Sequence, residues 1–212
     1  MRWLYVKTLC LILFLAALSA CGTSQPTKYY LLSAGAPDTA RLSTQRELTI
    51  GVGPIILPPY LDRREMVSRS SSNELNVAIY HQWAEPLQEN FSRVIGEDLG
   101  RRLATDRIVR LPLKRSLRKS VVIDYQVAIA VRSFEKAPDG SVVLNARWTI
   151  LDNDKQELVL RRSEYTEMPA TADYAAQAAA QSEVLGRLNE EIAAAILGLL
   201  ENSSHQPGEQ RR

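Results

Sequence analysis

Between Val121 and Arg132 the chain changes character at every step: Val121, Ile123, Tyr125, Val127, Ile129 and Val131 alternate with Val122, Asp124, Gln126, Ala128, Ala130 and Arg132. A period of two places the first set on one face of a β-strand, so that strand needs neighbours on both edges and a cover over one side only. The next segments supply the neighbours. After the turn residues Ala137-Pro138-Asp139-Gly140, Leu144, Ala146, Trp148 and Ile150 alternate with Val143, Asn145, Arg147 and Thr149; Asp152-Asn153-Asp154 then turns the chain into Glu157 to Tyr165. This spacing predicts a three-stranded antiparallel meander.

The cover is written in the other periodicity. Leu87, Phe91, Ile95, Leu99 and Leu103 recur every four residues in a helix predicted from Glu85 to Leu103, with Pro86 suited to its first turn. A second helix is expected from Asp173 to Leu200, where Leu185, Leu188, Ile192, Ile196 and Leu199 keep helical spacing in an alanine-rich segment. Short strands are expected at Tyr29 to Leu32, Leu48 to Ile55 and Arg107 to Leu111. A hairpin is expected where Met66 to Arg69 and Leu75 to Ile79 flank Ser70-Ser71-Ser72-Asn73. The expected fold class is α+β: a two-layer sandwich of a mixed, mainly antiparallel sheet with two long helices on one face.

The amino terminus has a different job. Arg2 and Lys7 precede an apolar run from Thr8 to Leu18, and Leu18-Ser19-Ala20-Cys21 closes it. This is the pattern of a bacterial lipoprotein signal, too short for the roughly 20 residues of a membrane-spanning helix. Residues 1 to 20 are expected to be removed. Cys21 becomes the first residue of the mature chain and carries acyl chains such as palmitate, at about 0.8 kcal/mol of anchoring per buried CH2. The signal takes with it two of the 26 basic residues and none of the 24 acidic ones, so the mature chain is formally neutral. Such a balance gives no footprint for nucleic acid. With Cys10 removed and Cys21 lipidated, no disulfide is expected. Residues 21 to 28 read as a tether, 29 to 201 as a single domain, and the polar residues 202 to 212 as a disordered tail. Gly22, in place of an aspartate, favours delivery to the outer membrane.

Chemistry-bearing constellations are scarce. His81 sits beside Trp83 in the hairpin region and His205 in the tail, and no Gly-x-Ser-x-Gly elbow or metal-ligand spacing occurs. Gly51-Val52-Gly53 opens like a dinucleotide loop, but Pro54 follows where a helix would have to start. Asp152 and Asp154 read as turn residues, and Trp83 and Trp148 as core anchors. No catalytic residue, metal or cofactor is expected.

The most distinctive stretch is Gly53-Pro54-Ile55-Ile56-Leu57-Pro58-Pro59-Tyr60-Leu61-Asp62-Arg63-Arg64-Glu65-Met66-Val67-Ser68-Arg69, followed by Asn73-Glu74-Leu75 and His81-Gln82-Trp83-Ala84-Glu85-Pro86-Leu87. With Lys28-Tyr29-Tyr30-Leu31-Leu32 and Ala146-Arg147-Trp148, it resembles the ABC-type transport auxiliary lipoproteins of the paraquat-inducible protein C kind, over nearly the whole mature chain. Arg64 stands where the family pattern has proline, and Gln82 where a basic residue is common.

The resemblance implies a non-enzymatic role in lipid traffic between inner and outer membranes. Its implied partners are a periplasmic protein of the mammalian-cell-entry (MCE) type and the inner-membrane permease that accompanies it. A homo-oligomeric ring would suit a tubular partner. The candidate partner surface is the loop Pro58 to Arg64 with the hairpin to Arg69: Tyr60 as an amphipathic anchor, Arg63 and Arg69 as forked donors to carboxylates or lipid phosphates. The same residues also allow a structural reading, in which Tyr60 and Leu61 fill a core edge and the arginines pair with Asp62 or Glu65. An accessory of outer-membrane assembly, for lipopolysaccharide or barrel insertion, is the rival function. An envelope enzyme is a further one.

Overall fold

The computed structural model describes residues 2, 3, 5, 7, 25–35, 48–112 and 121–204. The apolar run from Thr8, Cys21 as the expected lipidation residue and the tail from His205 lie outside the described residues. The described elements run in the order β1 (Lys28–Tyr30), β2 (Ile50–Ile56), β3 (Glu65–Ser71), β4 (Glu74–Trp83), α1 (Leu87–Arg102), β5 (Ile108–Arg110), β6 (Tyr125–Lys136), β7 (Val142–Leu151), β8 (Glu157–Glu167) and α2 (Tyr174–Ser204).

All eight strands join one curled mixed sheet whose axis is β6. On one edge β6 pairs antiparallel with β7, which pairs antiparallel with β8. On the other edge its first half pairs parallel with β2 and its last residue, Lys136, with Ser68 of β3. From there the sheet continues through the β3–β4 hairpin to β1, which runs parallel to β4; β5 runs parallel to β2 at the other margin. The longest ladders are antiparallel, as the sequence leads one to expect, and the short outer pairings are parallel. Both helices cover the same face, α1 over β2 and β5, α2 over β6, β7 and β8, and they touch each other.

The period-four residues of α1 are all buried: Leu87, Phe91, Ile95, Leu99 and Leu103. Phe91 meets Phe134 of β6 edge to face at 4.5 Å between ring centres. The last turn of α1 holds Arg101 and Arg102 on the buried carboxylate of Asp98, at 2.9 and 3.0 Å. Asp173 caps α2, its Oδ1 accepting from the Ala176 N–H at 2.9 Å. This helix continues through Ser204, beyond the expected end at Leu200.

Strand β6 differs from its expected course in a way that matters for the core. It starts at Tyr125 and runs past Arg132 to Lys136. Val127, Ile129 and Val131 face the helices, but between Val131 and Ser133 the pairing with β7 slips by one residue. That bulge at Arg132 inverts the phase, so the even-numbered Phe134 takes the inward position. Strand β2 also slips, between Val52 and Ile55. Gly53 lies there at φ +125°, and a Cβ on it would stand 2.8 Å from the Leu111 carbonyl oxygen. The Gly-x-Gly pair therefore serves a close backbone approach inside a strand.

Candidate docking surface and its supports

The loop from Leu57 to Arg64 joins β2 to β3, and its turn is closed by Leu61 N–H and Asp62 N–H donating to the carbonyls of Pro58 and Pro59. Leu61 is buried as a plug beneath the loop. Tyr60 Oη donates to Glu135 Oε2 at 3.0 Å and lies 3.2 Å from the Arg132 carbonyl. Arg69 reaches the same carboxylate from β3, Nε and Nη2 lying 2.9 and 2.8 Å from Oε1. The Phe134 N–H donates to Oε2 at 2.8 Å, and the Arg69 guanidinium sits 5.7 Å from the Tyr60 ring centre. The Glu135 side chain is 4% exposed, so a buried charge is held by one cation and two hydrogen bonds. Burial and the neighbouring Glu135 carboxylate push the Tyr60 hydroxyl up to about 12.

Of the three candidate partner residues, the structure brings Tyr60 and Arg69 together over Glu135 and sets Arg63 apart. Arg63 pairs with Glu65 at 3.6 Å, with the Arg63 side chain exposed and that of Glu65 half-buried. Arg63 is thus the member of the trio with a guanidinium open to a partner, while the other two fix the shape of the loop that presents it. The pairing of Arg63 with Glu65 is the local one the sequence allows. Glu135 lies 66 residues from Arg69, and nothing near either residue signals their contact.

His81 lies within β4, with Nδ1 2.8 Å from Tyr30 Oη and its ring stacked on Tyr174 at 4.0 Å. It ties the first strand to the start of α2. Trp83 and Trp148 are buried in the core. Trp148 Nε1 donates to Ser163 Oγ at 2.9 Å, and Ser163 donates in turn to the Glu191 carboxylate of α2. Tyr165 Oη joins the same carboxylate at 2.8 Å, and Arg161 lies 3.6 Å from it. Burial and Glu191 push Tyr165 up to about 12. Burial alone would raise Glu191, but the bonds from Ser163 and Tyr165 outweigh it and hold its pKa below the ordinary range. Asp152 behaves as a turn residue, its Oδ1 accepting from the Asp154 and Gln156 N–H groups.

A groove of about 810 Å³ runs along the C-terminal half of α1, but its charged lining is mostly spent internally: Arg93 on Glu85 and Glu97, Arg101 on Asp98. Its lining contains no histidine or cysteine among the described residues. No group of three histidine, cysteine, aspartate or glutamate side chains could hold a metal ion among the described residues, and none of their helices is long and apolar enough to cross a membrane.

Among solved structures, the protein XCC0632 from Xanthomonas campestris shares the fold with a TM-score of 0.69 at 19% identity, over 85% of this chain and 100% of that one. A second structure, of an uncharacterized protein, matches with a TM-score of 0.64 at 18% identity, over 81% of this chain and 99% of that one. No curated protein matches the chain in sequence. The family model of the ABC-type transport auxiliary lipoprotein component matches residues 30–193, from the end of β1 to well inside α2. The chain therefore belongs to the ABC-type transport auxiliary lipoprotein family.

Proposed function

We propose that the chain is a non-catalytic docking component of an MCE-type, ABC-associated intermembrane lipid transport system. In this reading Cys21 is acylated after removal of residues 1 to 20 and anchors the protein at the outer membrane, facing the periplasm. A single domain from 29 to 201 then receives the distal end of a conduit built by an MCE-domain protein, whose inner-membrane permease lies at the other end, and copies of the chain assemble into a ring. The observation that carries the reading is the family match over 30–193, which follows an amino-terminal stretch with the sequence pattern of a lipoprotein signal. The tether of residues 21 to 28 reaches at most about 30 Å at roughly 3.3 to 3.6 Å per residue, so the domain stays close to its leaflet. Arg63 is the proposed partner contact, presented by a loop that Tyr60 and Arg69 brace from beneath.

The test is co-purification of the detergent-solubilised full chain with its partners, identified by mass. An MCE-domain protein should be recovered, and Arg63→Ala should reduce its yield while the melting temperature stays unchanged. Recovery of barrel- or lipopolysaccharide-assembly proteins in its place would refute the assignment. An unmodified Cys21 in the same mass spectra would refute the anchoring.

A further inference from the structure

The face of the sheet turned away from the helices carries an unusual row. The register aligns Ile56 of β2, Ala130 of β6, Arg147 of β7 and Arg162 of β8 across four strands. Arg147 and Arg162 are direct cross-strand partners, both exposed, and Arg132 is exposed at the adjacent β6 bulge. Like charges placed directly opposite each other repel. None of the three guanidiniums makes an ion pair or hydrogen bond among the described residues. The acid nearest them on this face, Glu164, is bonded to Asn145 at 2.6 Å; Glu135, one row further along, is held by Arg69, and at the opposite end Glu157 stands beside Lys155, which reaches Gln126 at 2.7 Å.

On one side the cations are flanked by the polar row Ser133, Asn145 and Glu164, and on the other by short and aliphatic side chains. The latter row is Ala128, Thr149 and Leu160, and Ile56, Leu158 and Leu160 are 59%, 40% and 42% exposed. Arg132, Arg147 and Arg162 do not line the groove along α1 or the two concavities at Leu48 and Ile55. A cationic row bordered on one side by short and aliphatic side chains on an open face matches a sheet of phosphates above hydrocarbon better than it matches a protruding ligand.

We propose that the outer face of β6, β7 and β8 is a membrane-contact surface, on which Arg147 and Arg162, with Arg132, bind the phosphates of anionic phospholipids in the leaflet. The proposal rests on the reading that the chain is anchored through Cys21, which keeps this face within reach of the bilayer. An anionic leaflet relieves the repulsion between the paired arginines, and each cation brought to such a surface strengthens contact roughly fivefold.

The test is arginine footprinting with phenylglyoxal on the full acylated chain, carried on vesicles of phosphatidylcholine alone or of an equimolar mixture with phosphatidylglycerol. Labelling of Arg147 and Arg162 should slow about tenfold or more on the mixed vesicles, following the contribution of two cations. Arg110, exposed on the remote strand β5, should not change. In the variant Arg147→Glu with Arg162→Glu, protection of Arg132 should be lost while the far-ultraviolet circular dichroism is retained. Equal labelling on the two vesicle types would overturn the proposal. So would protection by soluble polyglutamate without protection by mixed vesicles, since the ligand would then be an acidic polypeptide. Failure of the anchoring reading is separable: the chain would carry an unmodified Cys21 and leave phosphatidylcholine vesicles, yet mixed vesicles would still protect the arginines.

Discussion

Replacing Arg69 with methionine tests the claim that this arginine is a support and not a free contact. The substitution keeps most of the aliphatic stem and removes the cation, leaving Glu135 with the Tyr60 hydroxyl and the Phe134 N–H but no opposite charge. Breaking a buried pair costs about 3–5 kcal/mol. The Arg69 side chain is 29% exposed against 4% for Glu135, so water reaches the pair from one side and the expected loss falls to about 2–4 kcal/mol. For a domain of this size that is a drop in melting temperature of roughly 5–15 °C. Arg63→Met, which removes only a surface pair, should cost no more than about 1 kcal/mol. Urea unfolding followed by the fluorescence of buried Trp148 measures both. Adding Glu135→Leu to Arg69→Met removes the stranded charge, and the double variant should recover at least about 1 kcal/mol of the single variant's loss. Equal costs for Arg69→Met and Arg63→Met, or a double variant less stable than either single one, would refute the reasoning.

Alkaline pH offers a second check. Tyr60 and Tyr165 are both pushed up to about 12, so between pH 10 and 12 the folded protein keeps protons that the unfolded chain has released. The contribution of these two tyrosines to stability should be level below pH 10 and fall across that window, and Tyr60→Phe should flatten part of the fall in a pH series of urea titrations. Gly53→Ala should destabilise the protein by about 1–3 kcal/mol, because φ +125° suits no L side chain and the added methyl meets the Leu111 carbonyl. A thermal melt unchanged by that substitution would contradict the tight fit between β2 and the segment at Leu111.

The parts of the fold that the sequence reveals are those set by a single face. Leu87 to Leu103 in α1 and Leu185 to Ile196 in α2 read as core because helical spacing alone decides which side they occupy, and the alternating residues of β7 do the same for a strand. What local pattern misses is a change of phase or a distant partner. The bulge at Arg132 turns Phe134 inward although strict alternation from Val127 would send it out, and only pairing with β7 creates the slip. The Tyr60, Arg69 and Glu135 cluster is invisible for the same reason, since its members come from a loop and two strands that only the curled sheet brings together. Pro58 and Pro59 mark the loop as special without revealing what it covers. The outward arginines are legible as exposed residues of two strands, but their adjacency requires the register.

The first strand is only three residues long, yet the backbone around it is stitched to several elements. The Ala84 N–H donates to the Tyr30 carbonyl at 2.9 Å and Arg93 grips the Leu32 carbonyl at 3.1 Å, while the Leu32 and Ser33 N–H groups reach Asn90 and Ser182 of the two helices at 3.2 and 3.1 Å. A tug arriving from the amino terminus along β1 would load these bonds together, in shear, where a hairpin at the margin would peel open one rung at a time. Under the proposed anchoring through Cys21, any pull would therefore enter the domain where β4 and both helices share the load.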